Sequence, residues 1–135
     1  MLCGLAGCSD FTAKLCGGYI LARTSAHSVT IVPEKGWNDK TPIIFPKVIE
    51  VGHDKRFIVA KRNVMKQRNP DQTITSYDRI TNYGMELDPG VFDYWILDTA
   101  APIAYGPLTW EEYTDKRSEL GIPDSVVLKD VYEYR

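Results

Sequence analysis

"IIFPKVIEVGHDKRFIVAKR", residues 43–62, is the stretch on which the fold turns. β-Branched and aromatic residues crowd both sides of Gly52-His53-Asp54, a composition that predicts a β-hairpin. Pro46 has no N–H to give a ladder, so the first strand is an edge or begins after it. In the second strand, Phe57-Ile58-Val59-Ala60 is an unbroken apolar run between Lys55-Arg56 and Lys61-Arg62. Such a run suits a strand buried on both faces with charged ends. The basic pairs have two readings: solvated ends that discourage edge-to-edge pairing, or an anion site.

Working toward the N-terminus, Tyr19–Arg23 and Ser28–Val32 form a second hairpin pattern across Thr24-Ser25-Ala26-His27. Residues 33–42, "PEKGWNDKTP", are loop, with Trp37 either folded back as a lid on the core or exposed for recognition. Toward the C-terminus, residues 63–90 are the least regular. Asn69-Pro70-Asp71 and Asp88-Pro89-Gly90 read as turns at its two sides, and Ile74, Tyr77, Ile80 and Tyr83 recur at three-residue steps, which predicts a short helix. A connection of this length usually holds function, so a binding surface is sought here first.

Phe92–Leu97 and Ile103–Tyr105 then read as strands across a turn at Asp98–Ala101, with Gly106-Pro107 ending the second. "TWEEYTDKRSELGIP", residues 109–123, carries the clearest helix signals: Thr109 as N-cap, Glu112 completing a capping box, Gly121 at C′ and Pro123 beyond. The 3.6-residue period puts Trp110, Tyr113 and Leu120 on one packed face, with the Arg117 stem between them. Val126, Leu128, Tyr132 and Tyr134 alternate around Asp130 and read as a last strand. The fold class is α+β: one domain over residues 17–135, an antiparallel sheet of five to six strands in meander order, with the 110–120 helix packed on one face.

Composition agrees with one soluble body. A chain near 150 residues buries roughly 68–70% of its unfolded surface, and 135 residues with 44% hydrophobic and 25% charged side chains exclude a disordered or collagenous chain. The net charge of −2 argues against a general nucleic-acid binder. The charge is nonetheless uneven, +6 over residues 1–68 and −8 over residues 69–135. Two halves folded against each other explain it, as does a bipolar surface that docks a charged partner.

All three cysteines, Cys3, Cys8 and Cys16, lie in the first sixteen residues, which rules out a disulfide framework. Leu5-Ala6-Gly7-Cys8 matches the lipobox at which bacterial envelope proteins receive a diacylglyceryl thioether, so Cys8 is the candidate lipidation site. Only seven residues precede it, without Lys or Arg, shorter than a secretory signal requires. Residues 1–16 are therefore expected to be a truncated lipoprotein leader and tail, with the true start upstream of Met1. The expected location is the bacterial cell membrane, by lipid anchor only, with the domain outside the cytoplasm; it is cytoplasmic if Met1 is the true start.

Chemistry-bearing constellations are sparse. The only histidines, His27 and His53, fall in predicted turns, and no nucleophile elbow, zinc, phosphate-loop or EF-hand pattern is present. Glu111-Glu112 are accounted for by the helix macrodipole. Asp88, Asp93 and Asp98 could gather around a cation, but match no calcium loop. No catalytic residue, metal site or cofactor is expected, and the candidate binding surface is Trp37, Lys55, Arg56, Lys61, Arg62, Tyr77 and Tyr83.

Three runs, "GYILARTSAHSVTIVPEKGWN", "KVIEVGHDKRFIVAKR" and "DYWILDTAAPIAYGPLTWEEYTDKRSELGIP", resemble a family of small bacterial lipoproteins with a domain of unknown function. The resemblance spans about residues 17–123 and implies a lipobox cysteine aligned with Cys8. It implies no activity. The expectation is a noncatalytic envelope lipoprotein that binds a protein or small ligand. The alternatives are an immunity-type or inhibitor protein that blocks a toxin or enzyme, and a small hydrolase-like enzyme if a histidine meets an acid in a cleft.

Overall fold

The computed structural model describes residues 10–135. Among the described residues, eight strands form two antiparallel sheets. β1 (Phe11–Lys14), β2 (Tyr19–Arg23) and β3 (Val29–Pro33) make the smaller, in the order β1-β2-β3. β4 (Val48–His53), β5 (Phe57–Gln67), β6 (Met85–Asp98), β7 (Ile103–Leu108) and β8 (Lys129–Asp130) make the larger, in the order β7-β6-β5-β4-β8. Two helices, α1 (Ser76–Thr81) and α2 (Trp110–Glu119), complete the α+β fold with a terminal 3₁₀ turn over Val131–Tyr134. The larger sheet is the expected five-stranded antiparallel one, with β4 to β7 in meander order and α2 packed on one face, while β1–β3 form a second sheet of their own. Phe11–Lys14, assigned to the tail, pairs with β2 as an edge strand.

The 43–62 stretch folds as its composition dictates. β4 begins after Pro46, at Val48, and pairs β5 with Val51 opposite Ala60. All four residues of Phe57-Ile58-Val59-Ala60 are buried, because β5 has a packed layer on each side. Ile58 and Ala60 point to a core shared with Leu21, Ile31 and Ile44 of the smaller sheet and its flank. Phe57 and Val59 point the opposite way, to Tyr113, Ile122 and Val126. The two-residue period then puts Arg62 on the first face and Lys61 on the second. That alternation decides where the functional side chains go.

Several boundaries differ from the sequence reading. Asp88-Pro89-Gly90 does not end a strand: Leu87 pairs Met65 and Phe92 pairs Asn63, so residues 88–91 bulge opposite Val64 and the ladder resumes. The Asn63 amide closes the bulge, donating from Nδ2 to the Asp88 and Val91 carbonyls at 3.0 and 3.1 Å. β7 runs through Gly106-Pro107, tolerated because β7 is an edge and its register slips opposite Trp95. The last strand is only Lys129–Asp130; Asp130 accepts from the Tyr132 N–H at 2.9 Å and starts the 3₁₀ turn instead.

α2 has the predicted caps. The Thr109 hydroxyl accepts from the Glu112 N–H at 3.1 Å, Glu112 accepts from the Thr109 N–H at 2.9 Å, and Gly121 takes φ 70°. Its packed face is narrower than expected. Tyr113 is 1% exposed, but Trp110 is 57% exposed. As the first helical residue Trp110 overhangs the sheet, touching Tyr94 and Tyr113 with ring centroids 5.2 and 5.5 Å away.

Candidate functional site

On the face of β5 and β6 that carries Arg62 lies a cleft of about 460 Å³. Its walls include Trp37 and Phe45 from the segment before β4, Trp95 from β6 and Pro107 from β7, with Arg62 and Arg79 as its cations. Trp37 is half-buried in this wall, so it neither caps the main core nor stands free. Trp95 reaches the cleft because Gly106 has no side chain: a Cβ there would run into the indole ring.

The two guanidinium groups differ in what holds them. Arg62 is buried and bound bidentately to Asp93, Nε to Oδ1 at 2.9 Å and Nη2 to Oδ2 at 2.6 Å. The Trp95 indole N–H donates to the same Asp93 Oδ1 at 2.9 Å, and the Arg62 guanidinium sits 5.4 Å from the Trp95 ring centroid. This overturns the reading of Arg62 as a solvated strand end: it shares a face with buried Ile58 and Ala60, and register sets Asp93 opposite it.

Arg79 projects from α1 as a solvent-exposed residue at the rim of the cleft, with its guanidinium carbon 3.9 Å from the Phe45 ring centroid. No carboxylate lies within ion-pair distance of it among the described residues. Desolvation first, and the nearby Arg62 charge second, lower its pKa from the usual arginine value, yet a guanidinium remains charged throughout the physiological range. α1 is positioned by its own capping box, Thr75 with Asp78, and by the Ser28 hydroxyl donating to the Ile80 carbonyl at 2.6 Å.

The expected binding surface is thus divided. Trp37 and Arg62 meet in the cleft. Lys61, on the opposite face, lies 4.6 Å from the Phe92 ring centroid in a recess of about 360 Å³ shared with Glu50, Tyr94, Trp110 and Arg117. Lys55 is exposed in the β4–β5 turn. Arg56 is bound bidentately to Asp98 at 3.0 and 2.9 Å, a hydrogen bond that holds the Asp98 pKa below its ordinary value. Tyr77 and Tyr83 are 68% and 65% exposed and do not line the cleft. Asp88, Asp93 and Asp98 lie beside Lys66, Arg62 and Arg56 respectively. No group of three or more metal-ligating side chains gathers among the described residues.

Sequence reasoning missed Phe45, Arg79 and Trp95. Trp95 carries no separate signal in an apolar strand, and Arg79 is one charge in an irregular segment. The bare Gly106 was the only usable clue.

Two further groups bear on chemistry. His53 lines a recess of about 200 Å³ with Ser125 and Glu133, its Nδ1 3.0 Å from the Asp54 carbonyl oxygen. The Cys16 thiol is half-buried beside the core, 3.8 Å from the Phe57 carbonyl, and burial raises its pKa. Among the described residues no helix is long and apolar enough to cross a membrane. Cys8 lies outside the described residues.

A model for a family of proteins of unknown function, DUF3997, matches residues 16–132 of the chain. No curated protein and no solved structure matches.

Proposed function

The chain belongs to this family of unknown function, and we propose that it is a noncatalytic binding module held at the bacterial cell membrane by a lipid on Cys8, taking its ligand in the cleft between Trp37 and Trp95. The observation that carries the reading is Arg79, a cation without a carboxylate partner in an aromatic-lined cleft. The cleft volume falls within the 300–1,000 Å³ of small-molecule sites, where apolar walls supply affinity and few polar groups supply orientation. Guanidinium groups that stay protonated bind and orient; they are poor proton shuttles. The lipid anchor is supported by the Leu5-Ala6-Gly7-Cys8 pattern just before the folded body.

The test has two arms. Expression from the native locus should give a membrane-fraction product bearing a diacylglyceryl increment that Cys8→Ser abolishes. A product with an unmodified Cys8 in the soluble fraction refutes the anchor. In the second arm, thermal melts against a metabolite collection should yield a stabilising compound recovered chemically unchanged. Saturation at 100 times Kd gives about 2.7 kcal/mol of stabilisation. A hit insensitive to Trp37→Ala refutes the cleft.

A second reading rests on His53, Ser125 and Glu133 lining one recess, the residue types a serine hydrolase uses. A nucleophilic Ser125 would be labelled by a fluorophosphonate and lose that label in His53→Ala. An unlabelled Ser125 removes this reading.

A further inference from the structure

We propose that Arg79 is the receptor for a single carboxylate on a ligand with a flat apolar body, the body lying against Trp37, Phe45 and Trp95. The inference rests on the cleft being a ligand site and adds the ligand's chemical class. The guanidinium carbon lies 3.9 Å over the Phe45 ring centroid, a contact made through the π face that leaves the N–H groups around the edge in the fork that matches a carboxylate bidentately. Arg62 cannot serve in the same way, because Asp93 already occupies its Nε and Nη2.

One guanidinium without a carboxylate partner among the described residues therefore lines the rim of the cleft, which fits one carboxylate. A phosphate dianion brings a second negative charge that Arg62 cannot compensate, and the Asp39 carboxylate that also lines the cleft repels a dianion more strongly than a single carboxylate. The walls select the rest of the ligand. Trp37, Phe45, Trp95, Ile43 and Pro107 offer planar and apolar surface over a volume that acetate alone leaves mostly unfilled.

The chain's three tryptophans supply the readout. Trp37 and Trp95 line the cleft, whereas Trp110 lines the recess on the opposite face and serves as the internal control. The full chain, ¹⁵N-labelled, is titrated with 3-phenylpropionate, 3-phenylpropionamide, phenyl phosphate and acetate while the indole N–H resonances are followed.

The acid should shift the Trp37 and Trp95 signals saturably and leave Trp110 still. The amide and acetate should each bind at least tenfold more weakly, and Arg79→Gln should weaken the acid at least tenfold. Arg79→Lys keeps the charge but not the fork, and should fall between. If Arg79→Gln loses its dispersed spectrum, the acid-to-amide comparison and Arg79→Lys decide. Equal binding of acid and amide overturns the inference, as does tighter binding of phenyl phosphate; in either case the cleft stands as a ligand site. No movement of Trp37 or Trp95 with any probe overturns the inference and the cleft reading together.

Discussion

Removing the Asp93 side chain isolates the charge at the base of the cleft. Arg62 and Asp93 are 7% and 8% exposed and joined by two hydrogen bonds of 2.9 and 2.6 Å. In Asp93→Ala, the one acceptor left to Arg62 among the described residues is the Pro46 carbonyl at 3.5 Å, and the Trp95 indole loses its acceptor. Breaking one partner of a buried pair costs about 3–5 kcal/mol, because the other charge stays desolvated and uncompensated. Domains of this size are stable by about 5–15 kcal/mol, so the loss is a large share of the total. With a urea m-value of about 2 kcal/mol/M, the midpoint should fall by about 1.5–2.5 M. Arg62→Met/Asp93→Leu removes both charges while retaining apolar volume, and should recover most of that loss. Equilibrium urea unfolding followed by far-UV circular dichroism measures Asp93→Ala, the singles Arg62→Met and Asp93→Leu, and the double variant. The reasoning is refuted if Asp93→Ala costs less than about 1 kcal/mol, or if the double variant is no more stable than the sum of its singles requires.

The helix face gives a paired prediction: Tyr113→Ala, at a fully buried ring, should cost about 3–5 kcal/mol in the same denaturant assay, whereas exposed Trp110→Ala should cost about 0.5–1.5 kcal/mol, mainly its ring contacts. Equal costs would mean that Trp110 is core after all. Gly106→Ala should push the Trp95 ring from its seat, costing about 1–3 kcal/mol by overpacking and shifting the Trp95 indole resonance more than that of Trp110; an unmoved Trp95 signal would contradict the close approach. The Arg56 hydrogen bond lowers the Asp98 pKa, so its stabilisation is present above the ordinary aspartate range near 3.8 and is lost as pH falls through the lower folded-state value. Arg56→Gln should raise the Asp98 pKa in a carboxyl ¹³C titration and move the acid-side loss of stability to higher pH; an unchanged Asp98 titration would show that the pair does not set it.

Local chemistry was legible residue by residue. The 43–62 hairpin, the Tyr19–Arg23 hairpin strand, the short helix near Tyr77 and the capping box of α2 each depend on residues within a few positions of one another, and each was read correctly from them. Lys55-Arg56 and Lys61-Arg62 looked alike in the sequence, yet they came to four different surroundings. Arg56 found Asp98, Arg62 found Asp93, Lys61 found aromatic rings, and Lys55 found solvent.

The sequence by itself determined the α+β class, the elements with strong local signals and the absence of any recognisable catalytic motif. Only the tertiary structure decided that the strands divide into two sheets, that residues 88–91 bulge where a turn was expected, and that Trp37, Phe45, Arg62, Arg79 and Trp95 converge on one cleft. The reason is that caps and hairpins are fixed by interactions over a few residues, whereas ion pairing and burial depend on which strand lies alongside. Asp93 stands 31 positions from Arg62 and becomes its partner only through the β5–β6 register, and Gly106 makes room for Trp95 only once β7 lies along β6.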